Sequence, residues 1–279
     1  MDRDKSWPKA VSVIGNGPKD NEVALYDYQV RFNRPESMPI PRPETPKAVP
    51  AFSQLEPPDD SVLWVNNGKR SNKSLGFVCE GWMANAELND EFAAHAQSLS
   101  HSLKQWPSCG LTAVAYLTPL VSKLQVTQMP LLPSLIRPEA LCPRMPLPSA
   151  FHNWFGERRL VFSGALEISP WPSVLLPCPA GGESTPSDRW AQLLALAQLP
   201  RQQGQELLAF LANVSASSWL EEATPERLQA AEALFHLDRQ HAETCNWWLY
   251  DFAGSAQADA IFQRLAWCQQ QVLLPSDDR

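Results

Sequence analysis

Charge is scarce in this sequence: Asp, Glu, Lys and Arg make up 19% of its 279 residues, and the acids outnumber the bases to leave a net charge of -7. A nucleic-acid binder needs a basic stripe to displace counterions from phosphates, so this balance argues against that class. It does not argue against a small anionic ligand, because a few Arg side chains and backbone N–H groups hold one phosphate whatever the global charge. Long hydrophobic runs are also lacking. No window approaches twenty uninterrupted apolar residues, and residues 1–17 offer neither a long apolar region nor a small-residue cleavage site. The expectation is a soluble, cytoplasmic protein without a transmembrane segment, any contact with the inner membrane face being peripheral.

Cysteines are few and scattered: Cys79, Cys109, Cys142, Cys178, Cys245 and Cys268 form no CxxC pair, so neither a zinc knuckle nor a disulfide framework is suggested. They read as reduced thiols, mostly filling a core. P-loop, HExxH, GxSxG and zinc-deaminase patterns are all missing. His95, His101, His236 and His241 lack cysteine or carboxylate partners at ligand spacing and read as ordinary helix residues. No metal and no cofactor is expected.

What the chain does contain is 44% hydrophobic residues and 26 prolines, enough apolar surface for a large α/β core crossed by ordered loops. Ala10–Ile14 is an apolar run stopped by Gly15-Asn16-Gly17-Pro18, which reads as a buried strand opening into a ligand-sized loop. The β-rich segment 23–33 suits a second strand, ended by Pro35. Residues 35–60 carry prolines too frequently for helix or paired strand and read as a polyproline-like surface loop. Residues 62–65 and 75–79 are two more short strands. Between Asn89 and Trp106 the apolar residues Phe92, Ala96, Leu99, Leu103 and Trp106 keep helical spacing, with Asn89 or Asp90 as the cap.

Residues 111–117 fit a buried helix or a strand, and periodicity does not decide. Residues 160–166 and 174–176 read as strands, followed by a Gly-Gly-Glu-Ser-Thr-Pro linker at 181–186. From Asp188 the character is helical. Thr224-Pro225-Glu226 is a capped helix start, and Ile261, Leu265, Cys268 and Val272 mark a last amphipathic helix opening at Gly254-Ser255. Trp247-Trp248 reads chiefly as a packing anchor, with sugar stacking the lesser alternative. The division expected is a catalytic α/β domain over 1–180 and a helical region over 188–275.

Three segments carry chemistry. Val13-Ile14-Gly15-Asn16-Gly17-Pro18, followed by Asp27, Arg31 and Asn33, places a tight turn after a strand, where a nucleotide can approach backbone that has no Cβ in the way. Trp106-Pro107-Ser108-Cys109-Gly110-Leu111 sets a hydroxyl and exposed N–H groups at a turn entering an apolar element, suited to phosphate or ribose oxygens. Phe151-His152-Asn153-Trp154-Phe155-Gly156-Glu157 offers an imidazole, whose unperturbed pKa of about 6.5 makes a proton-accepting form available near neutral pH. Each has a structural alternative, as turn filler or helix cap.

Taken in order, the three resemble the large, small and very small motifs of the sialyltransferase family, over about residues 10 to 160. The resemblance implies a Rossmann-like α/β fold of the metal-independent glycosyltransferase variant, with the helical C-terminal region added. It implies that Gly15, Asn16, Gly17, Asn33, Ser108 and Gly110 hold the cytidine monophosphate part of a CMP-sugar donor, and that His152, paired with Glu157 in the motif, is the catalytic base. The donor sugar would be an acidic ulosonic sugar, Kdo or sialic acid, and the acceptor a glycan or glycolipid. The family's third motif, a His-containing stretch before the very small motif, has no counterpart, because residues 137–150 contain no histidine. The usual Gly-Phe-Gly after the small motif is replaced by residues 124–128. Phosphate stabilisation then falls to another group, Arg158 or Arg159, or activity is lost. Two rival readings follow: a CMP-binding module without transfer activity, and an interaction protein recruiting partners through the proline-rich loop and helical tail.

Overall fold

In the computed structural model, residues 7–18, 24–33, 61–69, 75–142, 145–184, 188–237 and 246–274 are described. The proline-rich stretch 35–60, His241 and Cys245 lie outside them. Contacts divide the chain into two compact units, residues 1–97 with 109–129, and residues 98–108 with 130–279. This is a different division from 1–180 and 188–275: the His152 segment belongs with the C-terminal helices.

The first unit is an α/β layer. Its sheet contains β1 (Ala10–Ile14), β2 (Gln29–Phe32), β3 (Val62–Lys69), β4 (Leu75–Gly81) and β5 (Lys123–Thr127), ordered β4-β3-β2-β1-β5. β5, β1, β2 and β3 run parallel, and β4 closes one edge antiparallel to β3. Val11, Val13, Val30, Leu63 and Val65 are fully buried, as expected of parallel strands. From β1 the chain steps one way to β2 and β3, while β5 is added on the other side of β1. The carboxyl ends of β1 and β5 therefore flank the topological switch point, the usual ligand crevice of an open α/β sheet.

Two helices follow β4. α1 (Ala86–Leu103) starts four residues earlier than a helix capped at Asn89 would, because Asn85 is its cap: Leu88 N–H donates to Asn85 Oδ1 at 2.7 Å. Asn89 instead accepts from the Cys79 N–H at 2.8 Å, tying α1 to β4. α2 (Cys109–Leu117) resolves the ambiguous run as helix. Nearly every residue of α2 is buried, and it lies across β1, β2, β3 and β5.

The second unit is helical. It contains α3 (Trp154–Phe162), α4 (Arg189–Ala195), α5 (Arg201–Ala212), α6 (Ala216–Glu221), α7 (Pro225–Ala231) and α8 (Phe252–Leu273). α8 is the spine, packing against α3, α5, α6 and α7 around Phe155, Trp190, Trp219, Phe235, Trp248, Phe262 and Leu265. Trp248 is core and donates its Nε1–H to Leu234 O at 3.0 Å. Thr224 caps α7 as its sequence indicates, accepting from Arg227 N–H. α8 begins before Gly254-Ser255, at Phe252, because Asp251 accepts from Gly254 N–H and caps it.

The strands expected at 160–166 and 174–176 are not strands. Residues 154–162 are helix, capped by Asn153 and left at Gly164, whose φ of 71° is the left-handed conformation common just past a helix end. The 174–176 segment leaves a short 3-10 turn and is held by an amide side chain: Gln270 Oε1 accepts from Leu176 N–H at 2.8 Å.

Candidate functional site

In the sheet unit the glycine turn sits at the switch point. Gly15 N–H donates to Thr127 O at 2.9 Å and Gly17 N–H to Gln128 O at 2.8 Å, extending the β1–β5 pairing into the loop. A Cβ on Gly15 would collide with the Gln128 carbonyl and lie 2.8 Å from the Met129 Cβ. Glycine is needed here for this close backbone approach, and both glycine N–H groups are already used, so they are not donors for a nucleotide.

The two asparagines hold the neighbouring strand ends. Asn16 Nδ2 donates to Phe32 O at 3.4 Å, at the end of β2. Asn33 has a φ of 52°, and its Oδ1 faces the Asn67 backbone N–H and side-chain amide at 3.4 and 3.5 Å. Asn67 Oδ1 in turn accepts from the Cys109 thiol at 3.1 Å, at the start of α2. Both contacts of Asn33 are long, and those of a well-formed N–H···O bond lie nearer 2.9 Å. Gly110 is buried in the first turn of α2. Arg31 is turned onto Gln29, donating from Nε and Nη2 at 3.1 and 2.9 Å.

In the helical unit the structure brings Ser108 and Glu157 together. Glu157, on α3, is fully buried and accepts from the Ser108 N–H and Oγ–H, each at 2.7 Å. Burial raises the carboxyl from its ordinary 4.5 to about 7, the two Ser108 bonds acting in the opposite direction. A fully buried carboxylate engaged in this way holds the 106–108 turn in place.

His152 lies immediately before α3, partly exposed, with Nδ1 3.1 Å from Trp106 O. A carbonyl only accepts, so Nδ1 carries a proton, and in the neutral ring Nε2 is the atom with the lone pair. The Trp154 ring packs edge-on to the imidazole, centroids 5.2 Å apart. Asn153 fixes the start of the helix: Oδ1 accepts from Gly156 N–H at 2.8 Å, while Nδ2 donates to Leu103 O at 3.0 Å and Glu232 Oε2 at 2.9 Å. His152 and Glu157 are thus both fastened to the 106–108 turn.

The two arginines after Glu157 differ. Arg159 is ion-paired to Glu232 and donates to Ser102 O at 3.1 Å, so its charge is spent. Arg158 is fully buried without an acidic partner among the described residues. The histidine-free stretch from 137 is organised by Arg137, whose guanidinium donates to Met145 O at 2.6 Å and Cys142 O at 2.8 Å. Leu135 N–H and Arg137 N–H are held by Asp259 and Ser255 of α8 at 2.7 and 3.1 Å.

Two other histidines are engaged within the fold. His95 packs edge-on against Tyr116, and burial lowers its pKa; His236 Nδ1 bonds Glu232 O at 3.0 Å. Cys79 and Cys268 are buried thiols, pushed up to about 12 by burial. Among the described residues no helix is long and apolar enough to cross a membrane. Neither a family model, nor a curated protein, nor a solved structure matches the chain.

Proposed function

We propose that this chain is an inverting, metal-independent glycosyltransferase of Rossmann-like architecture, moving an acidic ulosonic sugar, Kdo or sialic acid, from a CMP-activated donor to a glycan or glycolipid acceptor. The observation that carries the reading is the double attachment of the His152 segment to the 106–108 turn. His152 Nδ1 donates to Trp106 O, and Ser108 donates twice to Glu157, so two motif segments read separately in the sequence are fastened to each other.

In the reaction, Nε2 of His152 removes the proton from an acceptor hydroxyl as its oxygen attacks the anomeric carbon. The bond from that carbon to the CMP phosphate oxygen breaks, the electron pair leaves with CMP, and the configuration inverts. The Trp106 carbonyl supports this chemistry twice: it keeps the proton off Nε2 beforehand and stabilises the imidazolium afterwards. Glu157 acts by positioning Ser108, not by contact with the reacting atoms. Within the sheet unit, Asn16 and Asn33 lie at the carboxyl ends of β1 and β2, the usual nucleotide side of such a sheet, and are the candidates to contact CMP.

The test is release of CMP from CMP-Kdo and from CMP-sialic acid in the presence of mixed glycan acceptors. Acceptor-dependent release from either donor supports the reading. A stabilising shift with CMP but no turnover would favour a binding module without transfer, the reading suggested by the absence of histidine from 137–150. No shift with CMP would leave the interaction-protein reading.

A further inference from the structure

Arg158 does not satisfy itself within the fold. It is fully buried on α3, the residue after Glu157. Its Nη1 donates to Pro130 O at 2.8 Å, and its guanidinium lies over the Phe162 ring, 4.9 Å from the centroid. Nε and Nη2 have no hydrogen-bond partner among the described residues. No carboxylate among the described residues reaches it, and burial pulls its pKa from 12.5 down to about 9. A buried cation with no counter-charge and with donors left unmade is costly for a fold to hold.

The two unmade donors belong to one edge. Nε–H and one Nη2–H run parallel along the side of a guanidinium, the geometry that grips two oxygens of a carboxylate or phosphate. Nη1, on the other flank, is the group tied to the protein. The residue covering that flank, Pro130, precedes Leu131, which is held at a φ of 48°. A bulky non-glycine residue there is strained, and such strain concentrates at ligand clamps. Arg159, the alternative sequence candidate, is neutralised by Glu232.

We propose that the Nε/Nη2 edge of Arg158 is an oxyanion-binding site, taking two oxygens of one phosphate or carboxylate group. The ligand identity rests on the CMP-sugar reading above; the site itself does not. In that reading the oxyanion is either the CMP phosphate, whose charge grows as the sugar departs, or the carboxylate of the acidic sugar.

Calorimetric titration of the full chain separates these cases, using CMP against cytidine and free sialic acid against its methyl ester, in wild type, Arg158→Met and Arg158→Lys. Wild type should prefer one charged ligand over its neutral counterpart by about 10- to 100-fold, the size expected for one or two charge-assisted hydrogen bonds. Arg158→Met should lose that preference while binding the neutral compound as before. Loss on the CMP pair names the phosphate, and loss on the acid–ester pair names the carboxylate. Thermal melts with inorganic phosphate against chloride at equal ionic strength complete the test. If CMP does not bind but phosphate raises the wild-type Tm and not that of Arg158→Met, the oxyanion site stands and the CMP reading fails. Should Arg158→Met not fold, Arg158→Lys answers, since it keeps the charge and lacks the two-donor edge. Undiminished preference in a folded variant, or no response of wild type to any oxyanion, overturns the proposal.

Discussion

Glu157 holds Ser108 by two hydrogen bonds of 2.7 Å, one from the backbone N–H and one from the hydroxyl, inside a shell that leaves the carboxylate fully buried. Removing the carboxylate strands both donors. Glu157→Ala should therefore destabilise the protein by about 2–5 kcal/mol, from two unsatisfied buried groups. Glu157→Gln should cost far less, because its amide oxygen can accept the N–H and the Ser108 oxygen can accept from its NH2 group. Urea unfolding of the two variants checks this, and equal losses would contradict the positioning role.

The same carboxyl gives stability a pH dependence of known sign. It ionises near 4.5 when unfolded and near 7 when folded, so the folded state binds the proton more tightly. Its contribution is fully present below about 4.5, falls as pH rises towards 7, and is constant above, a loss of about 3 kcal/mol. Burial also raises Asp259, with the same sign. The difference between wild type and Glu157→Gln across pH 4.5–7.5 isolates Glu157, and a constant difference would refute the assignment.

Gly15→Ala tests the switch-point turn. The added Cβ meets the Gln128 carbonyl and the Met129 side chain, and neither is the far end of a flexible group. The expected loss is about 1–3 kcal/mol of stability, the usual cost of overpacking. Thermal unfolding that matches wild type would show that the β1–β5 loop yields freely.

Asn33 separates turn from ligand. Its φ of 52° tolerates Asn and Gly but strains Ala by about 1–2 kcal/mol. Asn33→Gly should keep the fold, because its contacts with Asn67 are long, yet weaken CMP binding by about 1–3 kcal/mol through loss of the amide. Equilibrium titration with CMP decides: unchanged affinity in Asn33→Gly makes Asn33 a turn residue only.

The sheet was legible where apolar runs end in unambiguous breakers. Ala10–Ile14 stops at Gly15-Asn16-Gly17, and residues 62–65 and 75–79 are short and β-branched or aromatic, so strands were the natural reading. Residues 160–166 misled because a short apolar run has no period of its own. The Asn153 cap four residues before Glu157 and the Gly164 exit were the signals that it belongs to a helix. β5 was missed because its flanking polar residues, Lys123 and Gln125, mask a strand buried mainly at Val126 and Thr127.

Ser108, His152 and Glu157 were legible as motif positions, whereas their attachments were not. The acceptor for His152 is a backbone carbonyl 46 residues away, and a carbonyl leaves no mark in a sequence. Glu232, which neutralises Arg159 and bonds Asn153, comes from a helical stretch with no motif of its own. Arg158 and Arg159 are adjacent and chemically identical in sequence; burial and the position of Glu232 alone tell them apart.

The central claim is that His152 is the base, preset by the Trp106 carbonyl. The most direct measurement is CMP release by His152→Ala, with a CMP-sugar donor and acceptor, alongside CMP affinity from titration. Turnover should fall about 10²- to 10⁴-fold with CMP affinity nearly unchanged, since a base acts in the transition state and need not touch the nucleotide. Full turnover in a folded His152→Ala protein would make His152 a structural residue and contradict the mechanism.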